Sequence, residues 1–178
     1  MKTVQFVFLI MMPLLFACSS KNTKLEKYAI EWSNNIEKKA IENSSQTPDS
    51  VTDRTLHDTI RMVVALKDGQ IIKSIQINRI SNDTLTEIYW GHDLRFVFAR
   101  RYCPMLHGEA DEIIAYEGQP IGLHKFFYCN GKIKMQGLEY KGRVGIWTMF
   151  DTSGKVLKKT DYGNLEKLSK LKEMKYNG

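Results

Sequence analysis

Residue types that could support catalysis or metal binding are present in this 178-residue chain, but their spacing matches none of the common motifs. The four histidines, His57, His92, His107 and His124, lie far apart, and none belongs to a His-Glu-x-x-His zinc motif. No serine stands in a Gly-x-Ser-x-Gly context, and no glycine-rich phosphate loop is present. Cys103 lies four residues before His107 and could be imagined as a second metal ligand beside it, but two residues in a loop are a weak indication of a metal site.

Three acids near this pair, Glu109, Asp111 and Glu112, could also flank a site. A solvated turn is the simpler interpretation of such a cluster. We therefore predict a protein that is not an enzyme and that holds no cofactor and no metal.

The chemistry that the sequence does indicate is at Cys18. A single positive residue, Lys2, precedes an apolar run from Val4 to Ala17 that only Gln5 and Pro13 interrupt. A positive start, a short apolar stretch and a small residue before a cleavage point are typical of an export signal. At 1.5 Å per residue the run is too short to cross a bilayer, so we expect residues 1–17 to be a cleaved signal peptide.

The sequence Leu15-Phe16-Ala17-Cys18 resembles the lipobox of bacterial lipoproteins, with Phe16 bulkier than usual at its position. The resemblance implies that Cys18 receives fatty acyl groups such as palmitate and becomes the first residue of the mature chain. The alternative is an ordinary cleaved signal followed by a chance cysteine. Two or more acyl chains anchor a protein firmly, so the predicted partner of this end is a membrane.

The residues after Cys18 bear on location. Ser19 follows the cysteine where an aspartate would stand in lipoproteins kept at the inner membrane, and this resembles the default sorting pattern toward the outer membrane. No acid occurs before Glu26, whereas an acidic cluster in this stretch is typical of surface-exposed lipoproteins. We therefore expect a cell-envelope protein on the periplasmic face of the outer membrane, with residues 18–24 as a polar tether.

Composition describes a mildly basic chain of one domain, residues 25–178. The full chain has 26 lysines and arginines against 20 aspartates and glutamates. That charge fits acidic lipid headgroups or an acidic protein partner. Nucleic acid is a poor fit for an exported, anchored protein, so we predict none as a partner.

Cys103 and Cys129 remain after processing, and an oxidising compartment would permit a disulfide between them. If one strand separates the strands that carry them, their backbones are about 9.5 Å apart. A disulfide needs Cα atoms within about 7 Å. The sequence therefore leaves open whether they form a bridge, through a sharp turn at Cys103-Pro104, or are two buried thiols.

Apolar periodicity predicts one helix followed by strands. Apolar residues recur every three or four positions over 25–43, at Leu25, Ala29, Trp32, Ile36 and Ala40. Residues 44–53 are polar and contain proline, which indicates a linker. From 55 to 112 the pattern alternates as in a β meander, with an Asp-Gly hairpin signal at Asp68-Gly69 and a loop over 103–112.

A repeat follows the meander. Residues 122–133 align with 145–156 at an offset of 23, with both glycines and a lysine identical. Each unit predicts a hairpin whose glycines supply the positive φ of the turns. The expected core and cross-strand aromatic side chains are Tyr116, Phe127, Tyr140, Trp147 and Phe150.

Over residues 114–163 this pattern resembles the MORN-type repeat in its short-hairpin variant, Gly-x-Trp-x-x-Tyr-x-x-x-Gly-Lys. His124 replaces the tryptophan of the first unit, and Phe127 and Phe150 replace tyrosines. The resemblance implies an antiparallel meander of MORN-like hairpins. Together with an N-terminal amphipathic helix and a short C-terminal helix, which periodicity predicts, this gives a mainly β (α+β) fold. Such repeats are common in bacterial proteins catalogued as antitoxins or immunity-like proteins, where they serve as scaffolds and binding surfaces.

A short C-terminal helix is predicted over 164–176, with Asn164 as its N-cap. Its apolar residues, Leu165, Leu168, Leu171 and Met174, recur every three positions. The helix would either close the open end of the sheet or contact acidic headgroups or a partner.

Basic residues on or beside the repeat hairpins are the candidate partner-binding residues: Lys125, Lys132, Lys134, Lys141 and Arg143. They are either solvated strand charges or a basic face for an acidic protein. Lys132 and Lys134 are two apart on one predicted strand, so we expect them to share a face.

Two functions remain open. The first is a membrane-tethered binding module, in its concrete form an immunity or antitoxin protein that neutralises a toxin by occlusion. The second is a structural or assembly lipoprotein of the cell envelope.

Overall fold

The computed structural model describes residues 4–103 and 109–174, with side chains described for 23–103 and 110–174. Within these residues, two helical elements flank ten strands. They are helix α1 (Val4–Ser44), strands β1 (Ser50–His57), β2 (Ile60–Lys67), β3 (Gln70–Asn78), β4 (Thr84–Trp90), β5 (Phe96–Arg101), β6 (Glu109–Tyr116), β7 (Gln119–Tyr128), β8 (Ile133–Tyr140), β9 (Arg143–Phe150) and β10 (Val156–Asp161), and a 3-10 helix, η1 (Leu165–Lys172).

The strands form one ten-stranded sheet in sequence order, and each strand pairs antiparallel with its neighbours along the chain. This confirms the predicted mainly β class: an antiparallel meander with an N-terminal helix and a short C-terminal helix. Short connections join neighbouring strands as hairpins. Gly69, Gly118, Gly131 and Gly142 have positive φ in four of these turns.

Helix α1 begins well before the predicted start at Leu25 and includes 18–24, the segment predicted to be a polar tether. The predicted apolar stripe is confirmed, since Ala29, Ile36 and Ala40 are buried in the core. Within the described residues, no helix combines enough length and apolarity to span a membrane.

Contacts of α1 show that it crosses the strands. Near its described start, Glu26 lies beside Gly145 of β9. Farther along, Ser33 Oγ accepts a hydrogen bond from the Leu123 amide of β7 at 2.8 Å. Near its end, Asn43 Nδ2 donates to the Trp90 carbonyl of β4 at 2.7 Å. The span from Glu26 to Asn43 is about 25 Å of helix, which matches about 24 Å for five strand spacings.

The sheet thus has two different faces. The covered face packs on α1 and η1 through apolar side chains, namely Phe96, Phe98, Ile114, Ile121, Leu138 and Val144. Two leucines of η1, Leu168 and Leu171, are fully buried in the same core. The open face carries the alternate residues of the strands, including Val64, Ile113, His124 and Trp147, and neither described helix packs on it.

The boundaries of several elements differ from prediction. Strand β1 begins at Ser50, inside the predicted linker, and β6 begins at Glu109, inside the predicted loop. Asn164 is the N-cap residue of η1, as predicted, but it adopts a left-handed conformation (φ 56°) and its side chain makes no cap hydrogen bond. The C-terminal helix is of the 3-10 type, which has three residues per turn and therefore aligns leucines that recur every three positions.

Candidate binding site on the covered face

Helix α1 does not extend over the whole covered face of the sheet. A row of alternating charges lies on the part that the helix leaves uncovered. This charged row consists of Glu87 (β4), Arg100 (β5), Glu112 (β6) and Lys125 (β7), each opposite the next in strand register. Arg100 Nε donates to Glu112 Oε1 at 2.8 Å, and Lys125 Nζ lies 3.4 Å from Glu112 Oε2. Lys125 also lies 3.9 Å from Glu37 of α1, which places the row directly beside the helix. Opposite charges on adjacent strands stabilise the pairing.

Glu87 is the most heavily bonded member of the charged row. Its carboxylate accepts hydrogen bonds from Lys73 Nζ at 2.7 Å, from Tyr89 Oη at 2.8 Å and from the Tyr102 hydroxyl. Burial is the largest influence and raises the pKa of Glu87, but the three donors outweigh it and the net pKa is lowered. Burial and the bond to this carboxylate raise the pKa of Tyr102. Glu87 is therefore ionised and Tyr102 is protonated at neutral pH.

A pocket of about 550 Å³ adjoins the row at the ends of β4 to β7. It is lined by Asp83, Thr84, Arg100, Arg101, Tyr102, Cys103, Ala110, Asp111, Glu112, Phe127, Tyr128, Cys129 and Gly131. This volume is in the range of sites that hold a small molecule or a large side chain of a partner. Most of its charged side chains are already paired, because Arg100 contacts Glu112 and Arg101 contacts Asp111.

A disulfide between Cys103 and Cys129 lines the pocket, with Cα atoms 5.6 Å apart. The sequence alone did not decide whether this disulfide forms, because one strand was expected between the strands that carry the two cysteines. Strand β6 begins at Glu109, opposite Tyr128, so both cysteines lie where the sheet between them ends. The chain can turn there, and the strand spacing no longer keeps the two Cα atoms apart.

A second polar cluster is on the open face, and sequence reasoning missed it. His124 Nε2 lies 3.0 Å from Asp111 Oδ2, and His124 Nδ1 lies 3.5 Å from Glu139 Oε1. Arg101 Nε donates to the other Asp111 oxygen at 2.7 Å, and the Asp111 side chain is fully buried. These four residues, Arg101, Asp111, His124 and Glu139, form the histidine cluster.

Burial and ion pairing shift the pKa values of the histidine cluster in opposite directions. Burial is the largest influence on His124 and lowers its pKa, but the hydrogen bond to Asp111 and the nearby carboxylate of Glu139 reverse this, and the net pKa is raised. Burial likewise raises the pKa of Asp111, while His124 and Arg101 outweigh it and the net pKa is lowered. The pairing therefore favours the ionised carboxylate and the charged imidazole together.

Aromatic rings enclose His124, with the centroid of Phe126 at 4.2 Å and that of Trp147 at 6.1 Å. In the part of the chain that the structure describes, no group of three or more His, Cys, Asp or Glu side chains is arranged so that it could hold a metal ion. The cluster thus has the character of a buried ion-pair network. The register that aligns Asp111 with its neighbours cannot be read from a spacing of 13 residues, which is why the sequence did not reveal it.

The predicted partner-binding residues do not form one patch. Lys125 belongs to the charged row, and Arg143 stacks on Trp147 at 4.5 Å and donates to the Tyr162 hydroxyl at 2.8 Å. Lys132 lies in the turn before β8 and not on the strand, so it does not share a strand face with Lys134. Lys141 follows the other end of β8, about 25 Å from Lys134 along the strand.

Lys132 and Lys134 lie at the edge of the pocket. Gly131, which lines it, directly precedes Lys132, and Lys134 Nζ lies 5.8 Å from the ring of Tyr128, another lining residue. The side chains of Cys18, His107 and Glu109 lie outside those that the structure describes.

Comparison with known proteins gave little. No protein-family model and no curated protein matches the chain. Among solved structures, TarM is similar over 80% of this chain, with a TM-score of 0.36 and 13% identity. One of these structures is a mutant of S. aureus TarM in complex with fondaparinux, alpha-GlcNAc-glycerol and UDP. This chain spans about a quarter (26%) of the length of TarM, and a likeness this weak carries no argument.

Proposed function

We propose that the protein is a lipoprotein anchored through Cys18 at the periplasmic face of the outer membrane, where it acts as a non-catalytic protein-binding module. In its concrete form it is an immunity- or antitoxin-like protein that neutralises a toxin by covering it. The observation that carries the proposal is the uncovered part of the helix-bearing face, with its pocket and its charged row.

The charged groups of the row are fixed in place before a partner arrives. Arg100, Glu112 and Glu87 are held by partners within the fold. Groups fixed in this way lose little conformational freedom when a partner docks, and a preorganised surface binds more tightly for that reason. Lys132 and Lys134 at the pocket edge would speed the capture of an acidic partner.

The finer assignment to MORN-type hairpins belongs to this proposal. Gly122 and Gly145, equivalent at the offset of 23, both have positive φ, at 71° and 60°. A Cβ at Gly122 would lie 2.4 Å from Ser33 Oγ, and one at Gly145 would lie 2.6 Å from Leu165. Both glycines thus allow a helix to approach the sheet closely, which supports a repeated structural unit.

Capture of a partner from native envelopes tests the binding role. Thr84→Trp places a large ring in the pocket, and we expect it to abolish copurification of the specific partner. Thr55→Trp, on the exposed strand β1, is the matched control and should leave capture intact. Equal capture by both variants would show that the pocket is not the binding site.

The two lysines at the pocket edge are tested separately. Lys132→Glu combined with Lys134→Glu should slow the association of an acidic partner. Lys38→Glu combined with Lys141→Glu makes the same charge change away from the pocket and should not. An unchanged association rate in the first pair would remove the electrostatic part of the proposal.

Deletion of the gene tests the biological role. Cells that lack the protein should become sensitive to kin competitors, and re-expression should restore resistance. A Cys18→Ser copy should fail to restore it if the anchor is required. Envelope defects in the absence of any competitor would instead favour a structural or assembly lipoprotein.

A further inference from the structure

The net charge of this chain is located at one end of its sequence. Residues 130–178 contain 11 of the 26 basic residues and 5 of the 20 acids. The preceding 129 residues therefore contain 15 of each and carry no formal net charge. A charge asymmetry of this kind between two parts of a chain indicates a surface that meets a charged partner.

The fold places part of this charge on one side of the molecule. We call this the β10 side: the outer strand β10, the helix η1 that follows it, and the first described turns of α1. Its exposed lysines are Lys24, Lys27, Lys158, Lys159, Lys167, Lys170 and Lys172. They outnumber the exposed acids of the same side, which are Glu31, Asp161, Glu166 and Glu173; Lys27 pairs with Glu31 and Lys170 with Glu173. Helix η1 is fixed against α1, because Leu168 and Leu171 are fully buried and Lys172 Nζ lies 5.3 Å from the ring of Tyr28.

The course of α1 sets the orientation of this side. Glu26 lies over β9, and α1 crosses the strands, so about four further residues toward the N-terminus carry the helix past β10. Cys18 lies eight residues before Glu26, about 12 Å along the helix. The β10 side is therefore the part of the sheet nearest to Cys18.

We propose that the β10 side lies against a membrane surface that contains anionic lipids, an inference that rests on the proposed lipid anchor for its orientation. Lysines bind phosphate-bearing headgroups, and each one near such a surface strengthens binding about fivefold. Val156 and Leu157, 46% and 59% exposed on β10, would enter the interfacial region. The pocket, which contacts β4 to β7, lies away from this side and stays accessible to a protein.

Vesicle binding tests the proposal without the anchor. The probe is the full chain carrying Cys18→Ser, mixed with vesicles that contain phosphatidylglycerol or with vesicles of phosphatidylcholine alone. The apolar run before position 18 is present in every variant, and its contribution is measured on the neutral vesicles. We expect stronger binding to the anionic vesicles, and we expect salt to weaken it.

Charge removal on the β10 side supplies the decisive variant. Lys158→Gln, Lys159→Gln and Lys167→Gln together should weaken binding to anionic vesicles about 100-fold. Lys38→Gln, Arg54→Gln and Arg79→Gln remove the same charge elsewhere and should change it little. Equal weakening in both sets, full binding by the first set, or equal affinity for both vesicles would overturn the proposal. Loss of partner capture in the Thr84→Trp variant is a separate result, so the two proposals fail independently.

Discussion

At the residue scale, the C-terminal hairpins depend on one close approach between Gly137 and Trp147. A Cβ at position 137 would lie 2.4 Å from the indole ring. The ring is almost fully buried, and its Nε1 donates to the Leu138 carbonyl at 3.0 Å. Glycine at 137 is therefore required by packing and not by backbone conformation.

Gly137→Ala should displace this indole and reduce the free energy of unfolding by about 1–3 kcal/mol. It should also shift tryptophan emission to the red, because Trp147 loses its buried position. Urea unfolding and fluorescence measure the two effects. Gly118→Ala is the control: its Cβ meets nothing within 4 Å, so only the cost of positive φ remains and the emission should not change. Unchanged emission in Gly137→Ala would contradict this packing.

The histidine cluster predicts how stability depends on pH. The pKa of His124 is raised in the fold, so its contribution is complete at low pH and is lost as pH rises through that raised value. The pKa of Asp111 is lowered, so its contribution is complete above the unfolded value and is lost as pH falls through the lowered one. Both contributions to stability are therefore complete at pH values between the unfolded pKa of Asp111 and the unfolded pKa of His124.

His124→Gln should therefore remove part of the stability loss that occurs as pH rises, and it should also reduce the loss in acid, because His124 is one of the groups that lower the pKa of Asp111. Urea midpoints measured by circular dichroism across a pH series check this. His57→Gln, on the exposed strand β1, should leave the profile unchanged. An identical alkaline slope in His124→Gln and the unsubstituted protein would refute the role of this imidazole.

At the element scale, η1 acts as a clamp on the start of α1. Leu168 and Leu171 are fully buried, although the helix is only eight residues long. Leu168→Ala should cost about 2–5 kcal/mol of unfolding free energy because it leaves a cavity in the core. Leu157→Ala, at an exposed position on β10, should cost under about 0.5 kcal/mol. Similar losses in the two variants, measured by urea unfolding, would argue against the clamp.

The disulfide acts at the same scale by joining the ends of β5 and β7. It closes a loop between positions 26 residues apart, for which chain entropy predicts about 3 kcal/mol of stabilisation. Reduction should lower the free energy of unfolding by about that amount, which is seen as a lower urea midpoint. Cys103→Ser with Cys129→Ser should show the lowered midpoint and no response to reductant. A midpoint that does not move on reduction would show that the bridge does not constrain the unfolded chain.

Elements were predictable from sequence where local pattern decides them. The stripe of α1, the Asp68-Gly69 hairpin and the alternation of β3 each follow from residue types a few positions apart. The charged row and the histidine cluster were not predictable, because they depend on register across four strands, which bulges such as the one near Ile113 shift. The 3-10 form of η1 was missed although its three-residue period indicated it.

At the scale of the whole molecule, α1 is the element that holds distant strands together. Each strand pairs only with its neighbours in sequence, so the sheet by itself is a chain of local contacts. Helix α1 packs across β3 to β8 and links strands far apart in that order. Strand β1 lies beyond this span, and its side chains are mostly exposed.

Native-state hydrogen exchange should reveal this unequal distribution of stability. Amides of β5 to β7, beneath α1, should exchange only through global unfolding, whereas those of β1 that pair with β2 should exchange through local opening with a smaller free energy. Ser33→Ala should reduce the difference in opening free energy between these two classes of amide, because it removes the hydrogen bond that joins α1 to the Leu123 amide. Ser45→Ala, whose hydroxyl bonds only within the end of the helix, is the control. Equal protection of β1 and β6 in the unsubstituted protein would mean that the sheet unfolds as one unit and that α1 is not what unites it.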